Sequence, residues 1–554
     1  MKIEMHLNSK NIMKRIIYLP FFLFLVSVSA TAQDSTKRKT INITSTFKPA
    51  LKNTAKLNFN AEAPLIDTTR PDLKYNIPTQ FLSLVYQPVG LNPVALPSDS
   101  LKNWNNDNYV KVGVGNIHLP YVQAGFSFGD RKKSFFNAFA EGFTSKGKLM
   151  NQENNLLAAS VSGTIRAANN LEWDGGLGFR MDEYYLYGYQ PDTLHFEKGL
   201  LQQQFLTFDG HIGLRNTVPS DFGLTYHPNL KITAFGQNGS PRASELDLVI
   251  NLPMEKRIND HFNFDLGVTA DITHYDHGNQ PTINNTVFLV SPAVIYHNDN
   301  IALHIELTPS WDQNDFHLLP NFTADYTMDD KRFTLFASLD AYYDKGNFKR
   351  FAAINPWLSQ PSGLLNARVT EFFGGFKGSL SSHISYLAKA GVSQTFNMPL
   401  FQNDSIDGKS FQVLYEERLD AFNLHGEVSY IQGEDLNVTA ALTFNNYRTQ
   451  SQYKPWGLLP LEFTMALRWK LMKDLWLKAD LWAFEGGYRR SLSNYVSTGN
   501  GGIDLNAGIE FRITRQLNLW LQMNKIFNDK YQRWNQYSVY GFNILGGVTF
   551  AFGK

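Results

Sequence analysis

Residues 461–472 read Leu461-Glu462-Phe463-Thr464-Met465-Ala466-Leu467-Arg468-Trp469-Lys470-Leu471-Met472, and the alternation in that stretch decides the fold. Leu461, Phe463, Met465, Leu467, Trp469 and Leu471 share one face, while Glu462, Thr464, Arg468 and Lys470 share the other. Successive side chains of a strand point to opposite faces, so one face is apolar and the other carries charge. The rhythm returns as Ile503, Leu505, Ala507, Ile509, Phe511 and Ile513, set against Asp504, Asn506, Glu510, Arg512 and Thr514. A soluble sandwich alternates in the same way with its apolar face inward. Scale, repetition and an N-terminal leader separate the two cases, and favour a transmembrane barrel in a cell outer membrane, with lipid outside and water inside.

On this register Leu467, Leu505, Ile509 and Leu519 face lipid. Arg468, Lys470, Lys478, Asp480, Asp504, Glu510 and Arg512 face the lumen, as do Glu172, Asp174, Arg180, Asp182, Asp265, Asp271, Asp340 and Glu427. Such a mixed-sign face is either a channel lining or docking surface, or a set of cross-strand ion pairs that stiffens the wall. Trp476, Trp482 and Phe484 fall on the same inner face. Aromatic rings are unusual lining for water, so a packing partner is expected there.

Composition sets the outer limits. The formal net charge of +1 gives no electrostatic footprint for nucleic acid. A hydrophobic content of 43% and a slightly negative mean hydropathy suit half-apolar strands and argue against a helical membrane protein. Aromatics at 14% are enough for interfacial girdles. No cysteine is present, which excludes disulfides, thiolate catalysis and a lipidated N-terminal cysteine. Lys14-Arg15, the apolar run Ile16 to Val28 and Ala30-Thr31-Ala32 before Gln33 make residues 1–32 a signal peptide. That run is far short of the ~20 residues a membrane helix needs.

Residues 33–107 differ in character from the remainder of the chain. Pro49, Pro64, Pro71, Pro78, Pro88, Pro93 and Pro97 disfavour helices and central strands, which leaves an extended arm. The arm lies in the periplasm, as a tether, or inside the lumen, where part of residues 41–100 would obstruct the pore and meet Trp476 and Trp482. From residue 108 to 554, short turns fall at 129–132, 168–170, 216–221, 258–260, 297–300, 328–330, 381–383, 432–434, 473–474 and 515–516. Longer polar loops lie between them, among them 190–199, 346–368, 398–418 and 489–501. Ten short turns and eleven long loops make an all-β, antiparallel up-and-down barrel of about 22 strands. The last strand is placed at 542–552, and 411–416 is assigned to a loop. A barrel of this width is the size associated with plugged transporters.

The stretch Asn524-Lys525-Ile526-Phe527-Asn528-Asp529-Lys530-Tyr531 and the closing Gly541-Phe542-Asn543-Ile544-Leu545-Gly546-Gly547-Val548 resemble the end of a TonB-dependent receptor barrel. The resemblance covers residues 108–554. It implies an outer-membrane transporter with an N-terminal plug that an energising periplasmic protein pulls on. The chain departs from that pattern in two places. About 75 residues precede the barrel after the leader and show no plug-like order of strands and helices, and Gly553-Lys554 follow the aromatic Phe552. Expected partners are outer-membrane lipid, the outer-membrane assembly machinery and either an energising periplasmic protein or a surface lipoprotein.

No enzymatic, cofactor or metal constellation emerges. Gly113-Val114-Gly115 lacks the third glycine and following helix of a dinucleotide site, no His pair has helical ligand spacing, and no nucleophile-elbow motif occurs. His425 sits on a polar strand face. Trp357, Tyr453, Trp456, Tyr488, Tyr495, Tyr531, Trp534 and Tyr537 fall in the outer loops. They are candidates to stack on a planar or apolar ligand, or else members of the outer aromatic girdle. The expected function is solute uptake or passage across the outer membrane. The alternative is a structural or assembly component whose lumen a partner fills or caps.

Overall fold

The computed structural model describes residues 108–553, apart from 131, 192, 240–241, 279, 330–331, 452 and 491–494, and omits the side chain of Leu119. The leader and the proline-broken arm therefore lie outside the described residues. The strands are β1 (Asn108–Gly115), β2 (His118–Phe128), β3 (Ser134–Lys146), β4 (Glu153–Arg166), β5 (Leu171–Tyr185) and β6 (Gln202–Asn216). Then come β7 (Leu224–Tyr226 with Asn229–Asn238), β8 (Ala243–Asn251 with Met254–Arg257), β9 (Phe262–His277), β10 (Ile283–His297), β11 (Ile301–Asp312) and β12 (Asp315–Thr327). The rest are β13 (Phe333–Asp344), β14 (Ala367–Ser379), β15 (Ile384–Asn403), β16 (Phe411–Gln432), β17 (Leu436–Thr449), β18 (Leu461–Met472), β19 (Leu475–Phe484), β20 (Gly502–Arg512), β21 (Leu517–Asn524) and β22 (Asn543–Phe552).

Each strand pairs antiparallel with its chain neighbour. The sheet closes where β1 meets β22, from Asn108 opposite Phe552 to Gly115 opposite Leu545. Closure leaves no edge, the condition for backbone polar groups to survive in lipid. The sheet contains 24 hydrogen-bonded segments. Two pairs of these are halves of one strand, interrupted at Pro228 in β7 and Pro253 in β8, so the barrel has 22 strands. The interruptions are local because a proline lacks only the donor. The Pro228 carbonyl still accepts from the Leu214 amide at 3.0 Å, and that of Pro253 from the His227 amide at 3.1 Å.

The expected barrel is thus confirmed, with two revisions of detail. Strands β15 and β16 run on past the expected loop ends, so 398–403 and 411–418 belong to strands and only 404–410 turn the chain. The strand count survives because both strands are lengthened rather than multiplied. Two of the connections expected to be long, 116–117 and 313–314, are two-residue turns; Gln313 takes φ +55° there, in the left-handed region.

The outer face is apolar in a continuous belt, with Leu177 73% exposed and Phe208, Phe372, Val392 and Val428 each more than half exposed. No soluble barrel could leave so much large apolar surface in water. The protein is an outer-membrane barrel, with the short turns, the start of β1 and the end of β22 on the periplasmic side.

Candidate functional site

The β18–β21 wall shows how the register distributes the expected residues. Arg468 stands opposite Lys478, Lys470 opposite Trp476, Trp476 opposite Glu510 and Trp482 opposite Asp504. Those side chains, with Asp480 and Arg512, therefore share one face. Leu467, Leu505, Ile509 and Leu519 lie on the other, where Ile509 and Leu519 are exposed to the outside. Much of the inner charge is matched within the wall. Arg468 reaches Asp480 at 2.9 Å and Lys470 reaches Asp435 at 3.2 Å. Glu510 accepts from the Asn518 amide at 2.8 Å, and the Arg512 guanidinium lies 4.6 Å from the centre of the Trp476 ring. Elsewhere Glu172 accepts from Arg166 at 2.9 Å and also binds Arg215, which ties β4, β5 and β6 together.

Farther round the same inner face lies a recess of about 290 Å³, lined among others by Glu371, Lys389, Asn423, His425, Thr443 and Asn445. His425 meets the Thr443 hydroxyl at 2.9 Å. It sits on the polar strand face that the sequence indicates.

Trp482 and Phe484 do have a packing partner. The rings stack at 4.4 Å, and Tyr531 stands edge-on to both at 6.0 and 5.3 Å. Tyr531 comes from the 525–542 loop. The Asn524–Tyr531 motif explains how it arrives. Lys525 and Asn528 both take positive φ (+56° and +50°), which reverses the chain twice within four residues. The Lys525 amide donates to Asn506 Oδ1 at 3.0 Å, and Asn528 Oδ1 accepts from the Phe542 amide at 2.9 Å. Asp504 is buried beneath this turn, where it accepts from the Tyr531 hydroxyl at 2.9 Å and pairs with Lys525. It is on the inner face but is covered rather than open to the lumen.

The outer end is the larger surprise. Between β13 and β14 a short helix, α2 (Phe348–Ile354), dips into the mouth, while α1 (Lys198–Leu201) lies before β6. Phe348 and Phe351 are fully buried. Phe348 packs against Phe205 of β6, Phe235 of β7 and Tyr275 of β9, with ring centres 6.2, 5.3 and 5.5 Å apart. On the far side Phe351 meets Phe401 of β15 at 6.0 Å. The helix start is fixed by the wall itself. Glu245 of β8 accepts from the Phe348 amide at 2.5 Å and from the Lys349 amide at 3.0 Å, and Asn347 caps Arg350 at 2.8 Å. Lys349 pairs with Asp209 at 2.8 Å and Lys345 with Asp271 at 3.2 Å. Burial lowers the Lys345 ammonium pKa even with that carboxylate beside it.

Other loops complete the cap. Trp357 stacks on Tyr537 at 3.9 Å, Tyr187 stands edge-on to Tyr537 at 4.9 Å, and Trp534 packs between Phe401 and Phe411 at 5.7 and 5.4 Å. Burial pushes the Tyr187 phenol up to about 12 and that of Tyr537 well above its ordinary value. Of the outer-loop aromatics, Trp456, Trp534 and Tyr537 are buried in this cap and Trp357 is half-buried against it. Of the eight loop aromatics singled out in the sequence, Tyr453, Tyr488 and Tyr495 remain exposed, Tyr495 at 70%. The alternation that marks strands carries no signal for this arrangement. Its nearest sequence trace is the density of aromatics in the loops.

No protein-family model matches this sequence, and no curated protein matches it either. Solved structures do. The pyoverdine outer membrane receptor FpvA from Pseudomonas aeruginosa PAO1, bound to pyoverdine, superposes with a TM-score of 0.63 at 11% identity, over 81% of this chain and 79% of that one. The FrpB iron transporter from Neisseria meningitidis gives 0.63 at 9% identity, over 82% and 83%. The copper transporter OprC gives 0.60 at 12%, over 81% and 80%. At such identities the likeness shows the fold alone: a closed, antiparallel 22-stranded barrel.

Proposed function

We propose that this barrel takes up a solute across the outer membrane through a mouth that its own loops keep closed at rest. The observation that carries the reading is the cap. Side chains from opposite walls and from at least three outer loops converge on α2, Trp357 and Tyr537 in a buried aromatic core, where a passive porin would need an open entrance. Below it the wall is polar and carries both signs of charge, as suits a solute in passage. The neighbours of like fold are described as a pyoverdine receptor and as iron and copper transporters, which supports uptake as the class of activity. By the same analogy the chain is energised by a periplasmic protein. The exposed Tyr488 and Tyr495 at the rim are the first-contact candidates, and Arg468, Lys470, Lys478, Asp480, Glu510 and Arg512 line the path below. The rival, a structural or assembly component, needs a mouth left free for its partner; a cap built from the chain's own loops speaks against it.

The test is conductance in planar bilayers. The intact protein is expected to conduct little, and a variant with residues 348–365 replaced by a Gly-Ser linker several-fold more. An intact protein that already conducts like an open pore would overturn the reading. Deleting residues 41–100 asks the second question. If the arm fills the lumen, only the double deletion opens the pore fully. If the arm is a periplasmic tether, its loss changes nothing.

A further inference from the structure

On the outer wall of β14–β17 the apolar belt ends abruptly. Read from the periplasmic side toward the loops, the outward residues of β16 run Val428, Leu424, Phe422, then Asp420 and Arg418. Those of β17 run Val438, Leu442, Phe444, then Asn446 and Arg448. Those of β15 run Val392, Gln394, Phe396, and those of β14 run Phe376, Phe372, Thr370, Arg368. Hydrocarbon must therefore give way to headgroups just above the row formed by Phe372, Val392 and Phe422, with Phe444 one row lower, opposite Leu424.

The first polar rows above that boundary bring three arginines together. Arg368 stands opposite Phe396, which stands opposite Arg418; one row lower Gln394 stands opposite Asp420, which stands opposite Arg448. With strands about 4.8 Å apart, the backbones of the three arginines span three strand spacings, about 14 Å, a width that a two-phosphate headgroup would have to bridge. They are also held ready. The Arg368 guanidinium lies 4.7 Å from the Phe396 ring centre, and Arg418 Nε donates to Asp420 at 2.9 Å, where Gln394 donates as well at 3.3 Å. Asp420 offsets one of the three charges. Glu416, on the same face nearer the loops, is fully buried and engaged by the amides of Gln450 and Ser451, at 2.9 and 2.7 Å, and by the Ser451 hydroxyl. At the outer ends of β3 and β4 the pattern is different: Lys146 and Lys198 both pair with Glu153, at 3.6 and 2.6 Å.

We propose that Arg368, Arg418 and Arg448 form a site for the phosphate groups of the outer-leaflet glycolipid. Arginine suits phosphate because its planar fork donates two parallel bonds. The height above the apolar belt is where those phosphates lie, and the acyl chains would run down over Phe372, Val392, Phe422 and Phe444. Bound lipid would brace the wall from which the cap strands β15 and β16 extend.

Native mass spectrometry of the full barrel in detergent tests this, with three added lipids: the bis-phosphorylated glycolipid, its dephosphorylated form and phosphatidylglycerol. The intact protein is expected to retain the first and release the other two. The variant Arg368→Ala/Arg418→Ala/Arg448→Ala should retain it at least about tenfold less, with heat-modifiable gel mobility unchanged. Should that variant not fold, the single change Arg448→Glu at an exposed position carries the same expectation. Retention unchanged by the substitutions would overturn the proposal. So would equal retention of the dephosphorylated form, or of phosphatidylglycerol, the latter marking a general anion site.

Discussion

The two ends of this barrel are built by opposite means. At the periplasmic end the strands are joined by tight turns that satisfy themselves locally. Asp130, for example, accepts from the amides of Lys132, Lys133 and Ser134 at 3.0, 2.7 and 2.7 Å, all within four residues. At the outer end the loops satisfy themselves through each other: Trp357 donates to the Tyr185 carbonyl at 3.2 Å, and Tyr187 to the Ser538 carbonyl at 2.9 Å. A local turn can change without disturbing its neighbours. A shared aromatic core cannot lose one member without loosening the rest. The difference teaches that contacts at the outer end are shared among loops while those at the periplasmic end are private to each turn, a separation that the proposed closed mouth would use.

The harshest way to break the comparison is to remove what both ends depend on. Deleting 542–554 strips β22, exposes two unpaired edges in lipid, and should abolish the heat-modifiable folded band on a gel. A truncated chain folding at the intact level would sink the closed 22-strand wall. A cut confined to the cap should act differently. Phe348→Ala empties a fully buried site and is expected to cost about 3–5 kcal/mol, charged to the cap alone. Amide exchange should then quicken across the outer loops and stay slow in β18–β21; equal quickening in the wall would show that the two regions are one cooperative unit.

The wall has its own contrast. Leu505→Arg, on the lipid face, should cost about 2–4 kcal/mol, while Glu510→Arg on the inner face should fold almost normally. Single cysteines would confirm the faces, with a membrane-impermeant reagent reaching position 510 and not 505. The opposite labelling would mean a one-residue slip, which inverts every side chain. The smallest effect belongs to a single periplasmic turn. Three backbone amides lower the Asp130 carboxyl to about 2. A depressed acid contributes stability above its unfolded pKa of about 3.9, and that contribution is lost as pH falls toward the folded value. Asp130→Asn should remove this small acid-limb slope from unfolding curves and leave the outer end unchanged; an unaltered slope would show that the turn contributes nothing.

Much of the molecule is legible in the sequence because its period is local. Alternation over 461–472 and 503–514 fixes which face of each strand meets lipid, and turn chemistry near Asp130 or Lys473-Asp474 fixes where strands reverse. The strand number follows from those two signals alone. The strand extension through 398–403 escapes the same reading because residues 399–403 are buried on both faces, so no clean polar face remains to mark the period, and 411–418 is read as loop along with it. Pro228 and Pro253 mark breaks only once the ladder around them is seen.

The cap belongs wholly to tertiary structure. Nothing near Tyr531 in the chain announces Trp482 and Phe484, and nothing near Trp357 announces Tyr187 and Tyr537; these rings meet only because a closed barrel brings its loop ends over one mouth. Aromatic side chains are equally suited to a ligand, a girdle or a core, and their surroundings select among the three. Strand faces are therefore set by residue order, since a strand's two faces depend on nothing more distant than the next residue. The fate of the loop aromatics is set by barrel closure, since contacts across the mouth exist only after all 22 strands have paired.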